Sequence, residues 1–128
     1  GFAVDDTHGG LTLQRPTDAC KGWIMVKADR LNSKSLMESL RKGLFYSSTG
    51  PEIYDVQIRG EEIHVKTSPA QTINFIARNG LGRRLVAFDK PLSEATHTIK
   101  GNEGYIRIEV EDGKGGTAWT NPMIIQKE

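Results

Sequence analysis

The chain has 128 residues, of which 37% are hydrophobic and 26% charged, with a formal net charge of +1 and one cysteine. That length suits one domain able to bury a core without disulfides or a structural metal. The near-neutral balance offers no case for a nucleic-acid or anionic-membrane partner, the lone cysteine excludes an internal disulfide framework and fits a reducing compartment such as the cytoplasm, and no apolar run approaches the roughly 20 residues of a membrane-spanning helix.

In chain order, Phe2-Ala3-Val4 is a short apolar run that ends in Asp5-Asp6-Thr7-His8-Gly9-Gly10. This predicts a strand delivering an Asp-x-His pair to its carboxyl end, followed by a tight loop. Carboxylate oxygen and imidazole nitrogen together suit zinc, manganese or iron. Residues two apart on an extended strand face the same way, so Asp6 and His8 are candidate metal ligands. Two donors fall short of the three or more protein ligands of a catalytic site. From spacing alone, the plainer reading is favoured: an aspartate turn and a surface histidine beside a strand end.

Leu11 to Cys20 reads as an irregular connector. Gly22 to Ala28 is a strand, apolar on both faces for four positions, which predicts burial on both sides. Asn32 is a good N-cap for a helix over Ser33 to Lys42. Leu36, Met37 and Leu40 make its apolar stripe, and Leu31 with Leu36 could form a hydrophobic staple. Gly43 stands where a left-handed C′ residue is wanted, with Arg41 and Lys42 at the negative end of the helix dipole. Leu44 to Ser48 returns as a strand, and Thr49-Gly50-Pro51 closes the section.

From residue 52 onward the pattern is strands. Ile53 to Arg59 alternates, with Tyr54, Val56 and Ile58 on one side; Glu62 to Thr67 repeats the alternation, with Ile63 and Val65 inward. Gly60-Glu61 suits the two-residue turn between them. Thr72 to Arg78 carries Ile73, Phe75 and Ala77 to the core. Asn79 to Gly82 is a turn. Arg84 to Phe88 and Glu94 to Ile99 follow. Gly104 to Glu111 points Ile106, Ile108 and Val110 inward. Thr117 to Thr120 and Met123 to Ile125 are interrupted by Asn121-Pro122, and Pro122 belongs at an edge or bulge because it cannot donate to a ladder. About seven short strands at regular spacing give a mainly β fold: an immunoglobulin-like antiparallel β-sandwich with one α-helix on its N-terminal side. The Cys…Trp…Cys signature of antibody domains is missing.

Other chemistry-bearing residues carry plainer readings. His64 and His97 sit among polar strand positions and are expected to be exposed. Cys20 lacks a charged or histidine neighbour that would mark an activated thiolate, so it reads as packing. Arg78, Arg83 and Arg84 flank a glycine turn and could hold an anion, but a solvated hairpin tip is favoured. Ser47-Ser48-Thr49-Gly50 is hydroxyl-rich but lacks the lysine of a phosphate-binding loop. Trp119 and Tyr105 could form an aromatic platform for sugars, though aromatics in strands are more often core.

At the level of motifs, Val4-Asp5-Asp6-Thr7-His8 resembles the last metal-binding motif of the PHP (polymerase and histidinol phosphatase) family of metallohydrolases. Gly22 to Val26, the helix through Gly43, and Phe45-Tyr46-Ser47-Ser48-Thr49-Gly50-Pro51 resemble the continuation seen in one subgroup. Trp119-Thr120-Asn121-Pro122-Met123-Ile124 is similar to the way that subgroup ends, after a β-sandwich tail. These last two segments are more specific than the Asp-x-His pair, and they turn the reading of Asp6 and His8 towards ligation. The resemblance implies a β/α barrel parent that hydrolyses small-molecule substrates, often phosphate esters, with divalent zinc, manganese or iron. It implies that Asp6 and His8 form part of a site whose other ligands, including an early His-x-His motif, lie outside this chain. Residues 1–51 would then be the end of the barrel and residues 52–128 the sandwich, with the barrel as partner, no nucleic acid or membrane involved, and no metal bound or reaction catalysed by this chain alone. Residues 1–21 are expected to be the least ordered part without their barrel neighbours. Two rivals remain: a free-standing module binding carbohydrate or protein, and a self-contained small metalloenzyme needing a further ligand beside Asp6 and His8.

Overall fold

A computed structural model describes residues 1–5 and 20–126. The elements are β1 (Trp23–Val26), α1 (Ser33–Arg41), β2 (Phe45–Ser48), β3 (Ile53–Arg59), β4 (Glu62–Ala70), β5 (Thr72–Ala77), a 3-10 turn (Arg78–Gly80), β6 (Arg83–Val86), β7 (Leu92–Thr98), β8 (Tyr105–Glu111), β9 (Thr117–Thr120) and β10 (Met123–Ile124). The large sheet runs β1-β2-β9-β8-β5-β6 with β10 beside β8, and the small one runs β3-β4-β7. Every pairing is antiparallel. The mainly β character, the two antiparallel sheets and the single α-helix among the described residues agree with the expectation.

Alternation places the core. Ile73 and Phe75 on β5 and Ile106, Ile108 and Val110 on β8 meet Ile63 and Val65 on β4 and Ala95 on β7, all in one buried cluster. Burying each such large side chain stabilises the fold by about 1.5–3 kcal/mol, so this cluster is what joins the sheets. The β3–β4 hairpin turns at Gly60, whose φ of 58° is left-handed.

The helix has the predicted ends. Asn32 Oδ1 accepts from the Ser35 amide at 2.8 Å. At the other end Gly43 has φ 72°. The Leu44 amide reaches Ser39 O at 2.9 Å and the Gly43 amide reaches Leu40 O at 3.1 Å, completing a Schellman motif. The staple does not form, because Leu31 is 94% exposed. Met37 is exposed too, and Ser39 takes the buried place on the helix beside Leu36 and Leu40.

Three strand expectations need correction. β1 is not buried on both faces; it is the edge of the large sheet, Met25 is 47% exposed, and the small sheet packs over β5, β6 and β8 instead. In β3 the register shifts between Ile53 and Asp55, so Tyr54 is the extra residue of a bulge and points outward while Ile53 is buried. The next edge strand, β6, stops at Val86, and after Ala87 bonds back to Gln71 the chain leaves the sheet. Phe88 is therefore 97% exposed rather than part of a strand. Among the described residues β1 and β2 lie where strands were expected before residue 52, and eight strands, β3 to β10, follow it where about seven were expected.

That split falls where Pro122 was expected to force one. β9 and β10 run along the same edge of β8, with Trp119 opposite Glu109 and Met123 opposite Ile106. At the break the Thr120 hydroxyl accepts from the Ile108 amide at 2.9 Å, replacing a lost ladder carbonyl. The large sheet also crosses residue 51: Tyr46, Ser47 and Ser48 of β2 pair with Thr120, Trp119 and Ala118 of β9.

Candidate functional site

The stretches singled out by sequence gather at the β1–β2–β9 end of the large sheet. Ser47 is buried in β2, opposite Trp119. A serine in a strand leaves a hydroxyl to satisfy, and here the backbone of the N-terminal segment does so. Ser47 Oγ accepts from the Ala3 amide at 3.2 Å and donates to Gly1 O at 3.1 Å. Phe2 stacks on Phe45 with ring centroids 4.9 Å apart and planes 11° from parallel. Residues 1–5 therefore lie against β2.

Asp5 completes the attachment. Its Oδ2 accepts from the Cys20 amide at 2.6 Å, and its Oδ1 from the amides of Lys21 at 2.5 Å and Gly22 at 2.6 Å. Three successive N–H groups converge because Cys20 is left-handed, with φ 62°. The Gly22 amide holds the Asp5 carboxyl below its ordinary value, against desolvation and helped by the Cys20 and Lys21 amides and the Lys21 charge. Gly22 eases the close approach of Val4: a Cβ there would lie a tight 3.2 Å from Val4 O. Cys20, expected to be packing, is exposed; its backbone does the local work.

The C-terminal motif ties into the same place. Asn121 Nδ2 donates to Gly43 O at 3.0 Å and to Phe45 O at 3.2 Å, joining the β9–β10 break to the end of α1 and the start of β2. The hydroxyl-rich stretch is also spent on backbone. Ser48 Oγ donates to Pro51 O at 2.6 Å and accepts from the Gly50 amide at 3.0 Å. Thr49 Oγ1 accepts from the Thr117 amide at 3.0 Å. These hydroxyls serve a structural joint, and none is left free for phosphate.

Asp6 and His8 lie outside the described residues. Among the described residues no three His, Cys, Asp or Glu side chains come together as a metal site. Asp5, the nearest carboxylate in sequence, already accepts three N–H groups.

The remaining candidates are separate from the joint. His64 is on the outer face of the small sheet as expected, with Nδ1 3.0 Å from Thr96 Oγ1 and Nε2 3.2 Å from Glu62 Oε2. The groove beside it, about 410 Å³, is lined by Asp55, Gln57, Arg59, Lys66 and Glu94. Lys66 pairs in register with Asp55 on one side and Glu94 on the other, the charge alternation of a solvated sheet face. Arg83 donates to Thr96 O at 3.1 Å and so bridges the two sheets. Trp119 and Tyr105 are half-buried and make no open aromatic platform.

His97 overturns its expectation. It is 4% exposed, follows Ala95 inward on β7, and stacks on Phe75 with centroids 5.2 Å apart. Its Nε2 is 3.7 Å from Oε1 of Glu103, which is fully buried. Glu103 was not anticipated from sequence: its Oε1 caps the Lys100 amide at 2.6 Å. Burial pushes the Glu103 carboxyl up, but the amides of Lys100, Glu103 and Gly101 and the nearby His97 outweigh it and hold it below the ordinary value. The signal for His97 was its period-two spacing from Ala95; its threonine neighbours masked it.

No helix among the described residues is long and apolar enough to cross a membrane. Set beside known proteins, the chain matches no family model, no curated protein and no solved structure.

Proposed function

We propose that this chain is the C-terminal part of a PHP-type metal-dependent hydrolase, in which an immunoglobulin-like β-sandwich holds the Asp6–His8 motif against a barrel formed by the rest of the polypeptide. One observation carries the reading. The three stretches that resemble the family converge on one joint, with residues 1–5 docked on β2 through Ser47 and Phe45, and Asn121 tying the last strands to the same place. Segments far apart in sequence thus meet, through the pairing of β1, β2 and β9, at the segment that leads into the Asp-x-His pair, which supports a sandwich that positions it. Exposed Phe2, Val4, Met25 and Leu44 at this end provide apolar surface for a covering barrel.

On this reading the chain alone is not catalytic, since Asp6 and His8 by themselves are too few donors. In the whole enzyme a divalent metal would activate water and neutralise charge developing on a scissile phosphate ester. The test is hydrolysis of an aryl phosphate, with added zinc, manganese or iron, by the longer polypeptide that includes a barrel. Asp6→Ala and His8→Ala should each abolish turnover there while leaving the melting temperature of the 128-residue chain nearly unchanged. Turnover by the 128-residue chain itself, or full activity in either variant, would overturn the proposal.

A further inference from the structure

We infer that Asn79, at the tip of the β5–β6 hairpin, is a site of spontaneous covalent modification, where the folded chain deamidates and isomerises to isoaspartate. The inference is independent of the proposed hydrolase role. Asparagine followed by glycine occurs once in the chain, at Asn79-Gly80. The pair forms a turn closed by the Leu81 amide donating to Arg78 O at 3.2 Å, with left-handed φ of 55° at Asn79 and 72° at Gly80. Two successive left-handed residues match the twist of the flanking strands, and asparagine and glycine are the residues that tolerate that conformation. The same two residues supply the reacting atoms.

The backbone nitrogen of Gly80, after losing its proton to solvent, attacks Cγ of Asn79. The new C–N bond closes a succinimide ring, and the side-chain nitrogen takes up a proton and leaves as ammonia. Water then opens the ring at either carbonyl, giving aspartate or isoaspartate; in isoaspartate the backbone runs through Cγ. Water is the one co-reactant. A Cβ built on Gly80 would meet nothing within 4 Å, so nothing crowds its nitrogen and nothing packs there to resist rotation of Asn79 away from its native ψ of 29°. Both residues are exposed, so water reaches the ring. Arg78, Arg83 and Arg84 flank the turn, and their charge favours the anionic nitrogen and the oxyanion formed on the way. The other asparagines are worse placed. Asn32 Oδ1 is held as the cap of α1. Asn121 precedes a proline, whose nitrogen cannot attack, and Asn74 and Asn102 precede Phe75 and Glu103, whose side chains crowd the nitrogen.

Isoaspartate lengthens the backbone by a methylene in a turn whose strands are in register, Phe75 opposite Arg83. β6 is an edge of the large sheet, and Arg83 at its start donates to Thr96 O at 3.1 Å across the seam between the sheets. The modified turn should therefore loosen β6 and that bridge, while the new carboxylate cancels the formal net charge of +1.

The test ages the purified 128-residue chain in mildly alkaline buffer at body temperature, beside the free peptide Asn79–Arg83 and the chain unfolded in urea. After denaturation, trypsin releases the same segment by cutting after Arg78 and Arg83, and mass spectrometry with isoaspartate-specific methylation measures the product. In the folded chain Asn79 should convert within a few-fold of the free-peptide rate and several-fold faster than Asn32. A more acidic form should separate on ion exchange, and amide exchange of that form should show β6 losing protection while Ile106 and Ile108 on β8 keep theirs. Asn79→Asp gains the charge without the methylene and should keep protection in β6. Conversion in the peptide and in urea but not in the folded chain, or no faster than at Asn32, would overturn the inference, because the native turn would then hold the reacting atoms apart. Isoaspartate at residue 79 with unchanged protection in β6, or equal loss of protection in Asn79→Asp, would overturn the role given to the added methylene.

Discussion

Asn121 is where one side chain joins the β9–β10 break to the end of α1 and the start of β2, and its replacement has a calculable cost. Its Nδ2 donates to Gly43 O at 3.0 Å and Phe45 O at 3.2 Å, in a half-buried setting. A typical intramolecular hydrogen bond contributes about 0.5–1.5 kcal/mol net, so Asn121→Ala should cost about 1–3 kcal/mol, towards the lower end because water can reach part of the site. Asn121→Asp keeps the shape but sets an acceptor oxygen against two carbonyl oxygens. It loses both bonds and adds repulsion, so at neutral pH it should cost about 1–2 kcal/mol more than alanine. In acid the introduced carboxyl protonates and can donate one bond, which narrows the gap between the two variants. Urea unfolding followed by tryptophan fluorescence gives both numbers, with the m-value expected to stay constant. A neutral-pH stability of Asn121→Asp equal to or above that of Asn121→Ala would refute the donor role assigned to this residue.

The other predictions draw on different parts of the fold. Glu103 has a lowered folded-state value, so its contribution is present above the unfolded value and is lost as pH falls through the folded one. Glu103→Gln should therefore be less stable than the wild type at pH 7, and the difference should shrink below about pH 4, as thermal melts across pH will show. At Gly82 a Cβ would sit inside van der Waals contact with the Phe75 carbonyl oxygen and press on backbone that cannot swing away. Gly82→Ala should cost about 2 kcal/mol or more in chemical denaturation. Leu31 is almost fully solvated and forms no staple, so Leu31→Ser should change stability by less than about 0.5 kcal/mol.

What could be read from sequence was what local periodicity controls. The inward faces of β5 and β8 follow from alternation, the ends of α1 from the side chain of Asn32 and the bare Cα of Gly43, and the β9–β10 break from the missing N–H of Pro122. Features set by distant partners were not legible. β1 looks like a buried strand because its residues are apolar, but sheet order makes it an edge. His97 looks polar in its threonine-rich surroundings, yet its place opposite Ile63 in the register turns it inward to Phe75 and Glu103. The same limit applied at the joint. The Asp-x-His spacing drew attention to Asp6 and His8, whereas the work of Asp5, Ser47 and Asn121 depends on backbone groups far along the chain that no spacing rule connects.

The most direct test of the central claim is the metal content of the purified 128-residue chain, by elemental analysis after equilibration with manganese, zinc and iron and then dialysis. A site completed only by a barrel predicts less than about a tenth of an equivalent bound, since two donors do not retain a catalytic metal. A full equivalent that disappears on His8→Ala would contradict the account and show that this chain builds a metal centre of its own.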